Sequence, residues 1–188
     1  MLKMRFLIAL TVGLLMLGAA ACSKEPDMMS EPRNTAASEF GEPAVTVSTN
    51  GMYVTVPERW DVQKDDSSIV VNLKEPDPVG KIEVGVLMSD SPEKTAAEYN
   101  GEVIKKDING RIYYAAVYQA DGNNYNMRVF TDFSEDRVLN IFFNIADYSA
   151  DDCKALLEDK TFSEVIGSLE GKPSEFRSKR PAAENTPG

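Results

Sequence analysis

The sequence predicts an α+β protein built on an antiparallel sheet, and three observations carry that expectation. Two Asn-Gly pairs each separate runs of alternating apolar residues, a long later stretch reads as a strand meander, and only two segments carry helix start signals followed by helical spacing. Asn50-Gly51 divides Val45–Thr49 from Met52–Val56, and Asn109-Gly110 divides Val103–Ile108 from Arg111–Ala120. A two-residue hairpin turn of this kind needs positive φ at both central positions, which Asn and Gly tolerate. A turn over Asp121–Asn124 then leads into 126–133, and Ser134–Asp136 leads into 137–145, completing a four-strand antiparallel meander.

Register follows from the apolar pattern, because a slip of one residue turns every side chain to the other face. With Gly122-Asn123 as a two-residue turn, Ala120 faces Tyr125, Tyr118 faces Met127, Ala116 faces Val129 and Tyr114 faces Thr131, an apolar and therefore core face. A three-residue loop at Ser134–Asp136 brings Leu139, Ile141, Phe143 and Ile145 to that same face, beside Met127 and Val129. The opposite, mixed face then carries Tyr113, Val117, Gln119, Asn126, Arg128, Phe130, Asp132, Phe142 and Asn144.

The first helical segment is expected over 92–100, with Ser91 as its cap, Pro92 at its first position and Gly101 at its end. The second begins at Ser149, where Asp152 gives a partial capping box, and it sets Ala150, Cys153, Leu156 and Leu157 on one face. Phe162, Val165, Ile166 and Leu169 continue that spacing. Cys153 is thus expected in the core as a small hydrophobe.

The N-terminus has a different logic. Lys3 and Arg5 precede an apolar run of 13 residues, Phe6 to Gly18, followed by Ala19, Ala20 and Ala21. That is the layout of an export signal, too short to remain as a membrane span of about 20 residues. The next residue is Cys22, and Ala19-Ala20-Ala21-Cys22 resembles the lipobox of bacterial lipoproteins, although Leu17 stands further from the cysteine than the usual Leu. The resemblance implies cleavage after Ala21 and a lipid-modified Cys22, whose two or three acyl chains anchor firmly. The alternative is a plain secretory signal with Ala19 and Ala21 as its cleavage motif. Ser23 rather than Asp after the cysteine implies, in enterobacteria-like sorting, the periplasmic face of the outer membrane. Residues 22–43 then form the lipidated start and a Pro-containing tether reaching about 25 Å. A globular domain is expected over 44–169, and 170–188 as a loose tail.

Composition narrows the function. Lys and Arg total 20 against 30 Asp and Glu, a net charge of −10, and losing Lys3 and Arg5 with the signal takes it to −12. That balance argues against nucleic acid and anionic lipid as partners of a basic surface. The chain has 2 cysteines and no histidine, which excludes Ser-His-Asp triads, Cys-His dyads and His-ligated metals. No phosphate loop, HExxH or EF-hand motif is present. Three acidic groupings remain, Asp61/Asp65/Asp66, Asp132/Glu135/Asp136 and Asp147/Asp151/Asp152. They read as solvated loops and helix starts, with calcium or glycoside hydrolysis as the alternatives.

The order of elements also carries a family likeness. A hairpin enters Val54-Thr-Val-Pro57-Glu-Arg-Trp60, strands, a helix and a long meander follow, and a closing helix contains Phe162-Ser-Glu-Val165-Ile166-Gly-Ser168-Leu169. This resembles the family of the photosystem extrinsic protein PsbP, the Ran-binding protein Mog and bacterial lipoproteins of the DcrB type. The resemblance implies an antiparallel sheet sandwiched by helices, a structural role for Pro57 and Trp60, and binding or assembly work without a shared catalytic residue or cofactor. The expected function is a membrane-anchored, non-catalytic envelope module with an envelope protein as partner. Its expected contact face is Tyr113, Arg128, Phe130 and Phe142, unless the 92–100 helix or a loop covers it. The alternative function is a periplasmic carrier of a small ligand or calcium.

Overall fold

The structure is a computed structural model and describes residues 41–177. Its elements in chain order are β1 (Ala44–Thr49), β2 (Met52–Pro57), β3 (Asp61–Lys64), β4 (Ser68–Asn72), β5 (Gly80–Met88), α1 (Pro92–Ala97), β6 (Glu102–Ile108), β7 (Arg111–Asp121), β8 (Asn124–Ser134), β9 (Arg137–Ile145), α2 (Ala150–Leu156), α3 (Lys160–Gly167) and β10 (Glu170–Gly171). Seven strands form one antiparallel sheet in the order β3-β4-β5-β9-β8-β7-β6, and β1-β2-β10 form a second, smaller one. The α+β class and the antiparallel sheet with helices on both faces are therefore as expected. No helix among the described residues is long and apolar enough to cross a membrane.

One face of the large sheet, with Ile82, Val84, Ile141 and Phe143, packs against β2 and the apolar faces of α2 and α3. Met52, Val54 and Val56 of β2 and Val165 and Ile166 of α3 are all fully buried there. Trp60 seals an edge of this core, its ring tilted by 36° against Phe162 at a centroid distance of 5.6 Å. The other face meets α1, whose Ala96 joins Ala116, Phe130 and Val138 in a smaller apolar cluster.

Both Asn-Gly turns form as expected, pairing Thr49 with Met52 and Ile108 with Arg111. Asn50 and Gly51 have φ of 44° and 77°, and Asn109 and Gly110 have 55° and 80°. Their surroundings differ. A Cβ at Gly110 would meet nothing within 4 Å, whereas one at Gly51 would lie 2.5 Å from the Lys172 carbonyl oxygen. Gly110→Ala should therefore cost only the conformational strain of about 1 kcal/mol. Gly51→Ala should cost about 1 kcal/mol more, because it also displaces Lys172, whose N–H donates to Gly51 O at 2.7 Å. Denaturant midpoints of the two variants check this, and equal losses would contradict it.

The same return corrects the expected loose tail over 170–188. Glu170 and Gly171 pair with Tyr53 and Met52, and Phe176 meets Phe133 edge-on at 5.3 Å. Two residues of strand have no periodicity to read, and every partner lies far away in sequence. Residues 178–188 lie outside the described region.

The meander carries two bulges. At the first turn Asp121 pairs with Asn124 as expected, but Ala120 bulges, so Gln119 meets Tyr125, Val117 meets Met127 and Ala115 meets Val129. An extra unpaired residue on one strand shifts the register by one. Consequently Tyr113 and Val117 belong to the main core, at 1% and 2% exposure, and Tyr114, Ala116 and Tyr118 belong to the opposite face. Apolar alternation could not choose, because both sets of β7 residues are apolar. At the second turn the loop has two residues and the odd one bulges at Phe133, so Met127 still faces Phe143 and Val129 faces Ile141.

The helices start where expected. Ser91 accepts from the Lys94 N–H at 3.3 Å, and Ser149 and Asp152 form a full capping box. α1 ends at Ala97 rather than at 100, where Tyr99 turns inward onto Tyr118 and Phe130. A new cap at Asp159, which accepts from the Phe162 N–H at 3.1 Å, separates α2 from α3.

Candidate functional site

Alternation along β8 and β9 sends Val129, Leu139, Ile141 and Phe143 to the core and Arg128, Phe130, Asn140 and Phe142 to the opposite, outer face. α1 covers only part of that outer face. Phe130, at 0% exposure, lies beneath it, while Arg128 and Phe142 remain half-buried at its margin. Of the four residues expected to form a contact face, Arg128 and Phe142 come together there. Phe130 is sealed under α1, and Tyr113 faces the main core because of the Ala120 bulge.

Arg128 is the hub. Its guanidinium crosses from β8 onto β9 and stacks on the Phe142 ring, 4.1 Å from the centroid, with the Tyr99 ring 5.4 Å away. Nε donates to Tyr118 Oη and Nη1 to Asn140 Oδ1, both at 3.2 Å. These acceptors are neutral. Arg59 and Arg137 pair with carboxylates, but among the described residues no carboxylate lies within 4 Å of Arg128. Burial raises the Tyr99 phenol above its ordinary pKa, and the Arg128 charge opposes that shift. Aromatic faces and neutral acceptors together hold a cation in place without neutralising it. A fixed cation with phenol and amide donors beside it suits a negatively charged group.

Asn140 and Tyr99 were not picked out from the sequence, and Tyr118 was expected on the core face. Asn140 does leave a signal, a lone amide inside the apolar run Val138 to Phe143, while Tyr99 arrives only because α1 ends early. Cys22, the expected lipid attachment, lies outside the described residues.

A second concavity opens between the 76–78 loop, α2 and α3, with a volume of about 510 Å³. Asp77, Asp152, Glu158 and Asp159 line it, yet each already has a partner within the protein. Asp77 accepts from Trp60 Nε1 at 2.7 Å and pairs with Arg59, and Glu158 pairs with Lys106 at 2.6 Å. Asp152 and Asp159 cap their helices, and the Ser149 hydroxyl and N–H hold Asp152 below the usual carboxylate range. In the other acidic groupings, Asp65 accepts from the Ser67 and Ser68 N–H groups and Asp136 pairs with Arg137. Among the described residues no three His, Cys, Asp or Glu side chains converge to hold a metal.

Cys153 is 2% exposed, its thiol donates to Tyr125 O at 3.5 Å, and burial, aided by Asp152, pushes its pKa up to about 11. A buried thiol held protonated is a poor nucleophile. In a Cys22→Ala chain at pH 8, labelling of Cys153 should therefore be limited by unfolding. Rapid labelling of the native chain would contradict this.

No protein-family model matches the chain, and no curated protein matches it. Among solved structures it is similar to the cyanobacterial PsbP protein (CyanoP) of Synechocystis sp. PCC 6803, at 13% identity and a TM-score of 0.43, covering 65% of this chain and 88% of that one. It is also similar to a protein of Bacteroides thetaiotaomicron VPI-5482, at 17% identity and a TM-score of 0.43, where 67% of this chain spans 47% of the other.

Proposed function

We propose that the protein is a lipid-anchored, non-catalytic docking module of a bacterial envelope, joined to the membrane through Cys22 and to a protein partner through the outer sheet face around Arg128 and Phe142. The observation that carries this reading is a half-exposed arginine, fixed by Phe142, Tyr118 and Asn140, that lacks a carboxylate partner among the described residues. Fixing a long side chain before association lowers the entropy that binding must overcome. Phe142 adds an aromatic surface beside the charge, a pairing frequent at the centres of protein interfaces. The anchor rests on the basic start, the 13-residue apolar run and the Ala-Ala-Ala-Cys sequence.

The test joins intact mass with cross-linking in the native host. The mature chain should begin at Cys22, carry acyl mass and fractionate with membranes, and Cys22→Ala should release it. A photo-cross-linker at Phe142 should capture a discrete envelope protein, and Arg128→Glu should abolish that capture. An unacylated, freely soluble mature chain would overturn the anchor, and cross-links unchanged by Arg128→Glu would overturn the face. Carriage of a small ligand is the second reading, favoured by the 510 Å³ groove, which falls within the size range of ligand pockets. Calcium titration calorimetry and native mass spectrometry test it, and silence in both removes it.

A further inference from the structure

The outer face presents hydrogen-bond donors with no acceptor opposite them. Tyr118 Oη and Asn140 Oδ1 each accept one hydrogen bond from Arg128. The donors without a partner among the described residues include Nη2 of Arg128, the phenol O–H and the Asn140 amide Nδ2. Asn140 is only 4% exposed. A guanidinium cannot accept, so its contact with Oδ1 sets the amide orientation and leaves Nδ2 to donate elsewhere. Among the described residues no partner receives it.

Space exists beside these donors. Gly85 pairs with Asn140 across β5 and β9, and the burial of Ile82 and Val84 puts position 85 on the outer face. A Cβ there would meet nothing within 4 Å. Glycine inside a strand costs stability and marks places where another group approaches the backbone. Its φ is not in the left-handed region, so turn geometry does not account for it.

A set of donors around a stacked guanidinium suits an acceptor-only anion, and a carboxylate also matches the planar fork of arginine. Glu83, paired with Phe142 on the same face, repels any anion, and a doubly charged phosphate more strongly than a singly charged carboxylate. We propose that Arg128, Asn140 and Tyr118 form a carboxylate-recognition site beside Gly85, which receives an Asp, Glu or C-terminal carboxylate of the docked partner. This rests on the docking reading above. The open strand surface suits a polypeptide group rather than an enclosed small molecule.

Benzoate is the probe and benzamide its neutral control, titrated into the full chain while the Arg128 Nε–H and Asn140 side-chain resonances are followed. Benzoate should shift both saturably, and benzamide should bind at least about tenfold more weakly, as loss of a charge-assisted contact implies. Arg128→Met should remove the response, and Arg128→Lys should weaken it. Gly85→Val should also remove it, by filling the space while leaving the arginine contacts in place. If Arg128→Met fails to fold, Gly85→Val and the benzamide comparison decide. Equal responses to the two probes, no saturable response, or an unchanged response in folded Gly85→Val would each overturn the site. Cross-links from Phe142 that persist in such a case would leave the docking reading standing. Benzoate binding without any cross-link would overturn the assignment to a docked polypeptide.

Discussion

Trp60→Ala is expected to lower the unfolding free energy by about 3–5 kcal/mol, the range for removing a large buried aromatic from a core that cannot collapse around the gap. Trp60 is 4% exposed and joins three parts of the chain. Its backbone N–H closes the corner on Pro57 O at 3.1 Å, its ring packs tilted against Phe162 of α3, and its Nε1 donates to Asp77 in the loop before β5. The alanine variant loses all the ring contacts and leaves Asp77 to Arg59. Trp60→Phe separates the contributions, because it keeps most of the packing and removes only the indole N–H, a loss of about 1–2 kcal/mol. Denaturant unfolding measures both, and a loss under about 1 kcal/mol for Trp60→Ala would show that the corner is not part of the cooperative core.

The second large effect is at Gly101, between α1 and β6. A Cβ there would lie 2.0 Å from the Val117 carbonyl oxygen and 2.8 Å from Tyr118 Cβ. The obstacle is backbone of β7, where Val117 pairs with Glu102, so no rotamer change relieves it. Gly101→Ala should therefore cost about 3 kcal/mol or more, at or above the upper end for overpacked sites. It should also loosen α1 from the outer face, seen as faster hydrogen exchange in α1 than in β9. Gly85→Val is the counterpart. With open space and a strand conformation, it should gain about 0.5 kcal/mol or more. Similar losses at the two glycines would contradict the packing described.

The two glycines show why the candidate site was only half legible. Gly101 was expected to end the helix, but α1 ends at Ala97 with Glu98 as its cap, and the closeness of Gly101 to Val117 depends on how β6 lies along β7. Gly85 carried no signal, because an empty neighbourhood is a property of the assembled sheet. Arg128 and Phe142 were identified on one face because they lie on β8 and β9, whose register the apolar pattern determined. Tyr113 was misplaced because the register of β7 turned on one bulged residue.

The sequence by itself determined the α+β class, both Asn-Gly hairpins, the caps at Ser91 and Ser149, and the β8–β9 register, since each follows from turn chemistry or periodicity within a few residues. Only the tertiary structure decided which face of β7 is buried, how much of the outer face α1 covers, and that Glu170–Gly171 return to pair with β2. Those outcomes depend on contacts between residues distant in the chain. Their free energies are set by packing, which no local pattern encodes.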